Sequence, residues 1–85
     1  MIDQNYRHQI LTAALEARIR EVTEYQVNID NFRLALEACG READLSEFQD
    51  QLQDLLESSI REQRKALIML AVIQQQLSVE AGNVG

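Results

Sequence analysis

The chain has no proline and no tryptophan, and two of its three glycines fall within the last four residues. That leaves almost no turn chemistry for β-hairpins and argues against a β architecture. A single cysteine excludes an internal disulfide, and a reducing compartment suits it. The only histidine, His8, and Cys39 are too few for a zinc site, and the Glu-x-x-His pairs of a di-iron bundle are missing. No glycine-rich phosphate loop is present. A long helix would also hold His8 and Cys39 at opposite ends, which excludes a catalytic couple between them. The expectation is a protein without enzymatic activity, cofactor or metal.

Long apolar runs are scarce too. The longest, Ala66 to Ile73 in "RKALIMLAVIQQQ", is far shorter than the ~20 residues that span a bilayer. The opening "MIDQNYRHQ" lacks the basic-then-apolar order of a signal peptide. No membrane association and a cytoplasmic location are expected. Cations are few: eight Lys and Arg stand against fourteen Asp and Glu, a net charge of −6. Direct nucleic-acid binding needs clustered cations and is not expected. The small group Arg61, Arg64 and Lys65 is partly offset by Glu57 and Glu62 at helical spacing.

What remains is rich in Ala, Leu, Glu, Gln and Arg, the composition of long helices. Leu15, Val22, Ile29 and Leu36 recur at intervals of seven, with Leu11, Arg18, Tyr25, Phe32 and Cys39 three residues after each such position. The resulting heptad, opening at His8, predicts one helix over about residues 4–39, capped by Asp3 or Asn5. Gly40, in "CGREAD", is placed to end it in the left-handed conformation. Asp44 and Glu47 read as a capping box for a second helix over about residues 45–80, after a turn at 40–44. Residues 81–85 form a tail.

A turn centred near residue 42 makes facing residue numbers sum to about 84. That register assigns Leu45, Phe48, Leu52, Leu55, Ser59, Glu62, Ala66, Met69 and Ile73 to the second helix's seam. The predicted fold is all-α, a long antiparallel helical hairpin, coiled-coil-like and forming one domain. A second stripe is left facing outward through Leu56, Ile60, Leu67, Leu70 and Leu77. The first helix adds a weaker one through Tyr6, Ile10, Ala13, Ala17, Val27, Leu34 and Ala38. Two helices cannot cover both, so self-association into a four-helix bundle is expected, with Leu56, Ile60, Leu67, Leu70, Leu77 and Ile10 at the interface.

Two polar features remain. Midway along the seam, Arg18, Tyr25, Ser59 and Glu62 interrupt the apolar rhythm. An Arg18–Glu62 ion pair there reads as a register-fixing layer, with a ligand pocket as the alternative. From Glu37 to Glu57 seven acids face the single base Arg41, which accounts for the whole −6. Glu47, Asp50, Asp54 and Glu57 share one helix face. That face reads as solvated; the alternative is an inhibitor or nucleic-acid mimic docking on a basic partner protein.

Overall fold

The computed structural model describes residues 3–82 and contains two helices, α1 (Gln4–Cys39) and α2 (Ser46–Gly82). They pack antiparallel as a hairpin with extents of 63 × 21 × 14 Å. At 1.5 Å per residue each helix is about 55 Å long, so the pairing runs nearly end to end. Asp3 caps α1: its backbone is extended, and its side chain accepts from the Asn5 amide at 3.2 Å. This satisfies one of the amides left free at a helix start. Residues 83–85 of the expected tail lie outside the described residues, and Ala81 and Gly82 extend α2.

The turn differs from expectation in two details. Gly40 is right-handed, with φ −59° and ψ −15°, and its amide still donates to the Leu36 carbonyl at 3.0 Å. It continues the helical geometry instead of reversing it. The Glu42 amide then donates to Cys39, and the Leu45 amide to Glu42, at 2.9 and 3.2 Å. The Leu45 carbonyl accepts from Gln49 at 2.9 Å, which places Leu45 immediately before the first helical residue. Asp44 therefore stands one position too early to form the capping box with Glu47.

The seam of α1 follows its heptad. Leu11, Ile29 and Cys39 are buried, and Leu15, Arg18, Val22, Tyr25, Phe32 and Leu36 are half-buried. His8, at the start of the same row, is exposed. On α2 the expected positions Leu52, Ala66 and Ile73 are buried and Ser59 and Glu62 are half-buried. The other half of the expected row is displaced by one residue. Leu45, Phe48, Leu55 and Met69 are exposed, whereas Gln49, Leu56, Gln63, Leu70 and Leu77 turn toward α1.

Hydrogen-bonded pairs across the hairpin straddle the expected sum of about 84: Arg7 with Gln76 gives 83, and Gln63 with Val22, Arg7 with Glu80 and Gln49 with Cys39 give 85, 87 and 88. One residue of shift corresponds to a 100° rotation of a helix, enough to exchange one flank of the seam for its neighbour.

Candidate protein interface

The outward stripe expected on α2 is largely inside the hairpin. Leu56 is only 8% exposed, and Ile60, Leu70 and Leu77 are half-buried against α1. The same rotation that removed Leu55 and Met69 from the seam drew these residues in. Leu67 and Ile10 do face outward, at 43% and 51% exposure. Beside Leu67 stand Ile68, Met69 and Val72, all exposed, so the run from Ala66 to Ile73 divides between the seam and an apolar collar around the open end. The back of α1 is exposed at Tyr6, Val27 and Leu34, the last at 64%.

The polar layer is assembled differently from expectation. Arg18 Nη1 donates to Glu21 Oε2 at 2.7 Å, and Lys65 Nζ to Glu62 Oε1 at 2.9 Å. Each partner is three residues away on the same helix, so the expected Arg18–Glu62 pair does not form. Tyr25 and Ser59 are half-buried. The crossing contact comes from Gln63, whose amide nitrogen donates to the Val22 carbonyl at 3.2 Å and to Gln26 Oε1 at 2.9 Å. Gln49 does the same at the turn, donating to the Cys39 carbonyl at 2.6 Å.

These two glutamines are among the interhelical hydrogen-bonding side chains that sequence reasoning missed. Their signal was the row Gln49, Leu56, Gln63, Leu70 and Leu77, spaced by sevens. At the open end Arg7 plays the reciprocal part from α1, donating to Glu80 at 2.9 Å and Gln76 at 3.1 Å. Nδ1 of His8 lies 3.6 Å from the same Glu80 carboxylate. Among the described residues, no buried side-chain polar atom lacks a partner.

Glu47, Asp50, Asp54 and Glu57 are all exposed along one side of α2. Among the described residues the ion pairs lie at Arg7, Arg18 and Lys65, so this face is left with its charge uncompensated within the chain. Glu57 accepts only from Gln53, at 3.3 Å. Two shallow surface hollows lie near the ends of the hairpin, one lined by Leu34, Glu37 and Arg41, the other by Gln4, Arg7 and Val79.

Among the described residues, no group of three or more His, Cys, Asp or Glu side chains could hold a metal ion, and no helix is long and apolar enough to cross a membrane. Cys39 is a buried free thiol packed where α1 ends. No protein-family model, curated protein or solved structure matches the chain.

Proposed function

We propose that the chain is a non-enzymatic, cytoplasmic protein–protein interaction module that self-associates and acts as an adaptor, assembly factor or regulator. One observation carries this reading. After the seam is filled, large apolar side chains still stand outward on both helices: Tyr6, Ile10, Val27 and Leu34 on α1, and Leu67, Ile68 and Val72 on α2. Scattered exposed apolar residues are ordinary, but long rows of them on a thin hairpin favour association. A small chain with seven buried apolar residues among those described also stands to gain stability from a partner's surface. Two hairpins joining would give a four-helix assembly. Light scattering over a concentration series tests this: a mass that is a multiple of 9.7 kDa is expected, and a monomer at high concentration refutes it.

The uncompensated carboxylates of Glu47, Asp50, Asp54 and Glu57 favour a second reading, docking on a basic protein surface. Changing Glu47, Asp50 and Asp54 together to Lys would abolish such binding and leave the helices intact. Capture of the same partners by the triple variant would return this face to plain solvation.

A further inference from the structure

Opposite its seam, α1 carries a second row at alternating steps of four and three. Tyr6, Ile10, Ala13 and Ala17 form one arm, and Val27 and Leu34 lie on the other, all exposed. A mean spacing of three and a half residues is the signature of another helix as occupant, and the alanines permit close approach. At the midpoint of the row sit Arg20 and Glu24, one turn apart and opposite in charge. Among the described residues neither forms an ion pair within the chain.

Resting on the self-association proposed above, the geometry points to a second copy of this chain as the occupant, its α1 antiparallel to the first about a two-fold axis that passes between Arg20 and Glu24. A symmetric contact must be complementary to itself, and this row is. Centred on that axis, the antiparallel pairing sets Arg20 against Glu24 of the second copy, and Glu24 against its Arg20. It also sets Ile10 against Leu34 and Ala17 against Val27 of the second copy, twice over by symmetry. A parallel pairing would instead set Arg20 on Arg20 and Glu24 on Glu24.

The charge distribution selects the same orientation independently. The entire −6 lies between Glu37 and Glu57, around the turn. In a hairpin 63 Å long, antiparallel docking holds the two acidic turns at opposite ends of the assembly. That separation is several times the ~8 Å screening length of physiological salt. Parallel docking would place them side by side. The dimer is a layer of four helices, with the two α1 helices inside and α2 outside.

The test uses the full chain. Arg20→Glu and Glu24→Arg, made separately, each bring like charges together and should weaken the dimer on the order of tenfold. Mixing the two variants should restore a heterodimer, and the double reversal in one chain should restore a homodimer. With Cys39→Ala as background, Ile10→Cys chains should cross-link on oxidation to Leu34→Cys chains, and neither variant to itself. A monomeric wild type would overturn the self-association reading itself. A dimer unmoved by either single reversal, or Ile10→Cys linking to itself, would overturn only the antiparallel α1 contact and leave association standing through another face.

Discussion

The side-chain amide of Gln63 donates to the backbone carbonyl of Val22, 3.2 Å away on the opposite helix, while also serving Gln26 at 2.9 Å. A helical carbonyl has a second lone pair beyond the one its own helix uses, and Gln63 occupies it from α2. Net hydrogen bonds in part-buried positions contribute about 0.5–1.5 kcal/mol each. Gln63→Ala is therefore expected to lower stability by roughly 1–2 kcal/mol, seen as a fall in the urea midpoint. An unchanged midpoint would mean that water serves Val22 equally well.

Adjacent leucines on α2 should respond very differently. Leu56 is 8% exposed and Leu55 is 49% exposed. Leu56→Ala removes buried methyl groups and leaves a cavity, a loss of about 2–4 kcal/mol. Leu55→Ala should change stability by less than about 1 kcal/mol. Equal losses in denaturant titrations, or the reverse order, would restore the register in which Leu55 faces α1.

Gly40 offers the opposite kind of change. Its backbone is ordinary helical geometry, and a Cβ there would meet the Glu37 and Leu36 carbonyl oxygens at 3.5 and 3.6 Å, normal contact distances. Gly40→Ala should stabilise the hairpin by about 0.4–1 kcal/mol, because alanine has fewer unfolded conformations to lose. A lower melting temperature would indicate that the residue needs the left-handed region after all.

The acidic face carries its own electrostatic signature. Asp50 and Asp54 are like charges four residues apart on an exposed surface, an arrangement that destabilises a helix by about 0.2–0.5 kcal/mol per pair. Changing Asp54 alone to Lys turns that repulsion into attraction; it should raise the melting temperature at low ionic strength, and the gain should vanish in ~1 M salt, where the screening length falls to about 3 Å. A gain independent of salt would point to helix propensity instead of charge.

How much of this was legible follows from the two helices separately. On α1 the apolar residues occupy one heptad with little competition at its flanks, so Leu11, Ile29 and Cys39 could be placed in the seam from spacing alone. On α2 two adjacent rows are both apolar. Phe48, Leu55 and Met69 stand one residue before Gln49, Leu56 and Leu70, and each row alternates properly with Leu52, Ala66 and Ile73. Periodicity cannot choose between them. The choice is made by how many residues the turn consumes, and that depends on Gly40 staying right-handed and on the Gln49 amide reaching Cys39. The acidic face was readable because exposed charge needs no partner, whereas the Arg18–Glu62 pair depended on register and failed with it. Self-association rests on the outward rows alone.

The ladder of cross-helix bonds also implies an order of assembly. Gln49 reaches Cys39 across a separation of ten residues, Gln63 reaches Val22 across 41, and Arg7 reaches Glu80 across 73. Closing a longer loop loses more chain entropy, so the chain should zip from the turn outward, each closed rung shortening the next loop. Substitutions at Gln49 or Leu52 should then slow folding, while those at Leu11 or Ile73 should mainly speed unfolding. Stopped-flow kinetics with equal effects at both ends would contradict this order. A hairpin that closes in this way also opens from the far end, so the region around Arg7 and Glu80 is the first to separate and the last to be secured.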